Sequence, residues 1–301
     1  MLRRLLIPVF LLLIPAIALA SPVVYHRPGA RLAPYEPVAV AQPDMLFETA
    51  ELLTVNFLDR GAADCILLRI DGQTMLVDGA SLNQFGFIRD ELAALDVRHF
   101  NYMVNTHAHR DHIDGLLAIL KRDDYLVDAY LSCYTDDYPG SEDYTRVREL
   151  LAQKDIPYYR IGDGDHFMLG QAAVAVFRDE TPGIDKNRHS LVLKVVFGDR
   201  SVLLMGDAGG ETQEYLLNHY GAPAFKADVL KFAHHGMTPM LSAFLTAVSP
   251  ELVVVTNMRS AVPRTEHQLA ALHIPRYYTH TGMIEMETDG QFWIVEQMPR
   301  D

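Results

Sequence analysis

Thr106-His107-Ala108-His109-Arg110-Asp111-His112 holds three imidazoles and a carboxylate in the order His-x-His-x-Asp-His. Packing has no use for such a cluster at the end of an apolar strand. Polar groups crowded there are costly unless something binds them. A divalent cation removes that cost. Zinc takes nitrogen and oxygen ligands at about 2.0–2.2 Å, and a run of this kind can serve two ions. The bland alternative is a solvated loop that carries histidines. Donors further along the chain argue against it.

Asp207 follows the apolar run Val202-Leu203-Leu204-Met205, with Gly206 letting backbone approach closely. It reads as a ligand, one that can touch two ions. Its alternative is the N-cap of a helix from Glu211 onward. His234-His235-Gly236 follows Val229–Phe232 in the same way. Either histidine can ligate. His234, nearer the strand end, is the choice here, with His235 as a residue that orients a ligand. Arg110 inside the cluster can grip an anionic group or pair with a nearby acid. The loop Tyr134 to Gly140 can line a cleft or stay solvated. Met237 and Met240 read as packing residues.

Strands and helices that alternate must position these groups. Cys65–Ile70 and Thr74–Val77 flank Asp71-Gly72, a hairpin signal. Ile88, Leu92 and Leu95 recur at helical spacing. Phe100–Val104 is a short strand that delivers the histidines at its C-terminal end, and Ile113–Leu120 is a helix starting past them. Ser141-Glu142-Asp143 marks a helix start, with a cap and first-turn acids, running to about Gln153. The second half repeats the outline. Leu191–Phe197 and Ser201–Met205 flank Gly198-Asp199, and Met205-Gly206-Asp207-Ala208 echoes Val77-Asp78-Gly79-Ala80. Further strands are predicted at Val229–Phe232, Leu252–Thr256, Arg276–Thr279, Met283–Glu287 and Phe292–Val295. Helices are predicted at Glu211–His219, Leu241–Ala247 and Thr265–Leu272. Two similar halves, each a sheet covered by helices on one face, would pack sheet to sheet in one domain.

The 301 residues and 49% hydrophobic composition suffice for a sizeable core. Residues 1–20 read as a secretory signal peptide. Arg3 and Arg4 precede an apolar run that ends Ala18-Leu19-Ala20. An uncleaved anchor is the alternative, and no other apolar run is long enough to span a bilayer. A periplasmic or secreted location follows as an expectation. Residues 21–44, with five prolines, read as an extended leader, and the folded domain as residues 45–301. Without the first twenty residues the net charge of −13 becomes −15. That surface repels phosphate backbones at long range, and no Lys/Arg stripe offers a nucleic-acid footprint. A small-molecule partner is the expectation. Cys65 and Cys133 read as buried thiols, with a disulfide as the alternative.

The chain resembles the metallo-β-lactamase fold family of metallohydrolases. Within it, the resemblance is to the β-lactamase-like domain of ComEC-type competence proteins. The residues that carry it are Asn56 to Asp59, Leu76 to Gly79, Thr106 to His112, Asn187 to Lys194, Leu203 to Ala208 and Ala227 to Gly236. The histidine cluster is specific for fold and metal, not for substrate. The resemblance implies an αββα four-layer sandwich with one or two metals. It implies His107 and His109 on a first ion, Asp111, His112 and His234 on a second, and Asp207 on both. It also implies that Asp111 orients the attacking water and that Asp78 supports a ligand. Histidine-rich ligation favours zinc, with manganese or iron as alternatives.

Two departures stand out. The family has a further histidine ligand before its Gly-Asp motif. Here that region holds Asp185, Asn187, His189 and Ser190, so Asn187 or His189 is the candidate replacement. Where the competence branch has Gly-His-Pro, this chain has Ala261-Val262-Pro263. His267 or His280 would have to substitute, or else be ordinary surface or core residues. The expected function is an exported metal-dependent hydrolase, with phosphoesters the leading substrate class. The alternatives are a β-lactam or amide hydrolase and a metal-binding module without turnover.

Overall fold

Val202-Leu203-Leu204-Met205 and Leu252-Val253-Val254-Val255 are apolar at every position. Strand side chains alternate between faces, so such runs need cover on both sides of a sheet. They have it. Val202, Leu204, Leu252 and Val254 enter a core that lies between two sheets. Leu203, Met205, Val253 and Val255 enter a second core beneath helices.

The computed structural model describes residues 21–27, 39–42, 47, 51–135, 141–182 and 185–299. The signal-peptide reading lies outside these residues, as does most of the leader. In chain order the strands are β1 (Val24–His26), β2 (Ala39–Val40), β3 (Leu53–Phe57), β4 (Ile66–Ile70), β5 (Gln73–Val77), β6 (His99–Phe100), β7 (Tyr102–Asn105), β8 (Leu126–Val127), β9 (Tyr130–Ser132) and β10 (Tyr158–Arg160). There follow β11 (His166–Leu169), β12 (Ala172–Phe177), β13 (Val192–Phe197), β14 (Arg200–Leu204), β15 (Val229–Lys231), β16 (Leu252–Val255), β17 (Arg276–Tyr278), β18 (Gly282–Thr288) and β19 (Trp293–Pro299). Among the described residues one sheet runs β10-β9-β7-β5-β4-β3-β18-β19-β1-β2 and the other β11-β12-β13-β14-β15-β16-β17, with β6 and β8 paired apart.

Helices α1 (Phe85–Ala94), α2 (Arg110–Leu120) and α3 (Glu142–Gln153) bury Ile88, Leu92, Ile113, Leu116, Val147 and Leu151 in the first core. Helices α4 (Gly210–Tyr220), α5 (Ser242–Val248) and α6 (Pro263–Ala271) bury Leu216, Phe244, Leu245 and Leu269 in the second. The result is the four-layer αββα sandwich that the sequence predicts. None of the described helices is long and apolar enough to cross a membrane.

Local chemistry explains the element ends. Asp71 (φ 54°) and Gly72 (φ 70°) both take left-handed backbone, the requirement of a tight two-residue hairpin between β4 and β5. Ser141 caps α3, its Oγ accepting from the Tyr144 amide at 3.2 Å. Cys65 and Cys133 are buried and unbridged.

Three readings need correction. Helix α2 starts at Arg110, not past the cluster, so Asp111 and His112 occupy its first turn. Residues 24–26 are extended, as a leader would be, yet they lie inside the fold, pairing in parallel with β19. Strands β10, β11 and β12 were not predicted. Tyr158–Arg160 is short and half-exposed at a sheet edge, and β12 alternates alanine with larger residues, a weak apolar signal.

The start of α2 is fixed by contact with the turn after β5. The Gly79 amide donates to the His112 carbonyl at 2.7 Å. A Cβ at Gly115 would lie 1.7 Å from the Gly79 carbonyl oxygen. Gly115→Ala should therefore cost about 2–3 kcal/mol through overpacking. Gly86→Ala, where a Cβ meets open space, should cost nothing or gain up to about 1 kcal/mol. Urea unfolding of both variants checks the contrast. Equal midpoints would contradict this packing.

Candidate metal centre

Five strands deliver their C-terminal ends to one edge of the sandwich. Asp78 follows β5, residues 106–112 follow β7, Asp207 follows β14, His235 follows β15 and Thr256 follows β16. Asp64 arrives just ahead of β4. Asp64, Asp78, His107, His112, Asp207 and His235 are all buried, each at most 1% exposed. Segments a hundred residues apart thus converge on one point.

Two donor groups form there. In one, His112 Nε2 lies 3.2 Å from His235 Nε2 and 3.2 Å from Asp207 Oδ1. His235 Nε2 lies 3.3 Å from Asp207 Oδ1 and 3.3 Å from Asp111 Oδ2. A tetrahedral ion with bonds of about 2.0–2.1 Å has ligand-to-ligand edges of about 3.3–3.4 Å. His112 Nε2, His235 Nε2 and Asp207 Oδ1 match that spacing, with Asp111 Oδ2 one such edge from His235 Nε2 and Asp64 joining the cluster from the Nδ1 side of the His235 ring. Asp207 Oδ1 is moreover buried without a hydrogen-bond partner among the described residues. In the second group His107 Nε2 lies 3.1 Å from His109 Nδ1 and 3.5 Å from Asp207 Oδ2. Asp207 thus offers one oxygen to each group. These residues fit a divalent cation.

Hydrogen bonds set the histidine tautomers. Asp78 accepts from the Thr106 amide (2.8 Å), the Thr106 hydroxyl (2.6 Å) and the Asn105 amide side chain (3.1 Å). An ionised carboxylate can only accept. His112 Nδ1, 2.7 Å from Asp78 Oδ2, must therefore donate. The Thr106 hydroxyl spends its proton on Asp78, so at 3.2 Å it accepts from His107 Nδ1. The Thr256 hydroxyl donates to Asp64 Oδ1 at 2.8 Å and so accepts from His235 Nδ1 at 3.0 Å. All three rings turn Nε2 inward, where a cation can use the lone pair.

The charges are strongly interdependent. Burial would raise the Asp207 carboxyl, but His112 and His235 hold it well below the usual carboxylate range. Burial also opposes ionisation of Asp111, yet the His235 hydrogen bond and the charge of His112 keep it at about 2. Burial and the nearby His112 lower His107 to about 4. His235 goes the other way. Burial lowers it, but Asp64 and Asp207 outweigh that and raise it to about 9. His112 is likewise raised well above its ordinary value, against burial, by Asp207 and Asp78.

Among the sequence-predicted residues, His107, His109, Asp111, His112 and Asp207 all meet here, and Asp78 supports His112. His234 needs correction. It is His235 that joins the donors. His234 is 34% exposed, with Nε2 3.8 Å from Asp207 Oδ2, and lies outside both groups. The cause is a left-handed run after β15. His234 (φ 50°), His235 (φ 50°) and Gly236 (φ 73°) turn the chain so that the second ring, not the first, points inward. His189 is buried against Tyr134 and joins neither group. Asn187 keeps a buried Oδ1 without a partner among the described residues. Ser190 Oγ accepts from the Asp207 amide at 3.2 Å, a support for that corner. Asp185, His267 and His280 are exposed. Arg110 is 77% exposed and lies 3.7 Å from Asp114 and 3.6 Å from Asp143, the ion-pair alternative. Sequence reasoning missed Asp64, Thr256 and Lys231. Their only signal is a charge or hydroxyl abutting an apolar strand.

A cation must displace protons from His112 and His235. Both are raised, so between pH 6 and about 9 metal affinity should increase with pH. In metal-free protein the His235 ion pairs contribute stability that is fully present below its unfolded value of about 6.5. That contribution is lost as pH rises through about 9. Calorimetric titration with zinc at pH 7, in buffers of different ionisation enthalpy, should show release of roughly one to two protons per ion. No release would contradict these assignments.

The comparisons with known proteins agree with this geometry. The chain is 27% identical over 219 residues to Competence protein ComA of Neisseria gonorrhoeae, covering 72% of this chain and 28% of that one. It is 26% identical over 179 residues to ComE operon protein 3 of Bacillus subtilis (59% and 22% covered). The chain therefore spans about a quarter of the length of the curated relatives it matches. In fold it is similar to the metallo-beta-lactamase fold protein YhfI from Bacillus subtilis, with a TM-score of 0.52 at 12% identity over 72% of this chain and 93% of that one. A model of the metallo-beta-lactamase superfamily matches residues 58–251, a span that holds every donor of both groups. With that match over more than half its length, and the donor groups where the sheets end, the chain belongs to the metallo-beta-lactamase superfamily.

Proposed function

We propose that this chain is an exported, zinc-dependent hydrolase of small phosphoesters. The observation that carries the hydrolase reading is the pair of donor groups sharing Asp207. Zinc suits a set rich in imidazole, and manganese or iron would suit it less well. A bound dication supplies Lewis-acid polarisation of the scissile bond and a water of lowered pKa.

The chain's own groups divide the remaining work. Asp207, His112 and His235 are buried and hold position. Asp111 reaches solvent, its side chain 35% exposed. Its carboxylate stays ionised down to about pH 2, so at neutral pH it can accept a hydrogen bond from a water and orient it. Asp78 holds the His112 ring, which keeps the donor lone pair on target.

The substrate reading has separate support. One curated relative, 25% identical over 237 residues, is named Recombination protein 2 of Haemophilus influenzae. The lean towards phosphoesters over β-lactams rests on the likeness to the competence proteins. The acidic balance favours small ones over polymeric nucleic acid. The signal-like first twenty residues support export.

A panel of a generic aryl phosphodiester, a carboxylic ester and a β-lactam tests the assignment. The phosphodiester should turn over fastest, and Asp111→Asn should lower kcat/KM by roughly 100-fold or more. Activity on the β-lactam alone would overturn the substrate class. Equal rates for wild type and Asp111→Asn on every substrate would leave a metal-binding module without turnover.

A further inference from the structure

We infer that Lys231 is a positioning residue for the metal centre, its ammonium tying the Asp207 corner to the Asp64–His235 pair. Lys231 lies on β15 between Leu230 and Phe232 and is fully buried. A lysine there needs a reason, since its ammonium gives up water and a methionine would fill the space. The ammonium has two acceptors. Nζ donates to the Gly206 carbonyl at 2.9 Å and pairs with Asp64 Oδ2. Gly206 immediately precedes Asp207. Its carbonyl also accepts from the His234 amide at 3.0 Å, next to His235. Asp64 in turn receives the Thr256 hydroxyl at 2.8 Å and lies 3.1 Å from His235 Nδ1.

One buried cation therefore joins the ends of β14, β15 and β16 to the start of β4. The donors it spaces, Asp207 Oδ1 and His235 Nε2, are 3.3 Å apart. Lys231 meets Asp64, which approaches the His235 ring from its Nδ1 side, and none of the inward-facing atoms of His112, His235 and Asp207, so its effect on those passes through others. It balances the Asp64 carboxylate, which leaves that carboxylate free to orient His235 without an unpaired buried charge. Partners of this kind typically change metal affinity 10–100-fold when removed.

The inference rests on the metal reading of the site, and the test separates the two. Zinc affinity is measured by chelator competition, and the cobalt-loaded visible spectrum reports ligand geometry. Wild type, Lys231→Met and the double variant Asp64→Asn/Lys231→Met are compared. The double variant removes both charges, so it should fold even where the single one does not. The expected result is zinc binding weakened roughly 10–100-fold in each folded variant, with an altered cobalt spectrum. Wild-type affinity and spectrum in the folded variants would overturn the role of Lys231 while leaving the metal reading intact. A wild-type chain that takes up no metal would overturn the proposed function and this inference with it.

Discussion

Everything at the sheet edge depends on how three buried carboxylates are compensated. Asp64, Asp78 and Asp207 sit at 1% exposure or less, in space that would otherwise be apolar. An unpaired charge there would be strongly destabilising. Each carboxylate is therefore surrounded by donors. Asp78 collects an amide, a hydroxyl, a carboxamide and an imidazole. Asp64 collects an ammonium, a hydroxyl and an imidazole. Asp207 has imidazoles on both oxygens, and among the described residues its Oδ1 keeps no hydrogen bond. The first two carboxylates face away from the donor atoms and hold rings. The third faces into the donor set.

The backbone is bent to allow this. Asp78, Ala80, His234 and His235 all take positive φ, a conformation that residues with side chains seldom adopt. They cluster at strand ends beside the donors, where such strain is expected when function demands it. The price is met by the frame around them. Gly79 and Gly115 let α2 approach the turn after β5 at backbone contact, and that approach puts Asp111 and His112 in the first helical turn. A helix N-terminus carries partial positive charge and suits a carboxylate such as Asp111.

Much of this was readable in the chain, and the misses have physical causes. The layer plan followed from the repeated strand-turn-strand outline, with Val77-Asp78-Gly79-Ala80 echoed by Met205-Gly206-Asp207-Ala208, and from the family resemblance. The hairpin at Asp71-Gly72 and the cap at Ser141 followed from local chemistry. Five of the six residues read as ligands meet at one point, and their convergence was legible because imidazoles and carboxylates at strand ends have few other uses. The choice between His234 and His235 was not legible. Proximity to the strand favoured His234, but a left-handed run reverses which ring points inward, and only Gly236 hints at it. Asp64 and Lys231 looked like ordinary charges. Their meaning comes from partners 167 positions apart in the chain, which no window of sequence displays.

The charge count explains why one arrangement can serve both a loaded and a metal-free protein. With neutral imidazoles, Asp64, Asp78, Asp111 and Asp207 against Lys231 leave an excess of three negative charges at the site. Asp64 and Lys231 cancel locally, so the excess falls on Asp78, Asp111 and Asp207, around His112 and His235. Those two rings are the ones raised above their ordinary values, so protons on them offset the excess when no cation is bound. Two protons reduce the excess to one. A single dication in their place reduces it to one as well. The exchange alters who carries the charge, not how much is buried, so the carboxylates keep their compensation in either state. His107, lowered to about 4, takes no proton in the neutral range. Its group therefore offers a neutral nitrogen beside Asp207 Oδ2 at once, and a second dication there would turn the excess positive.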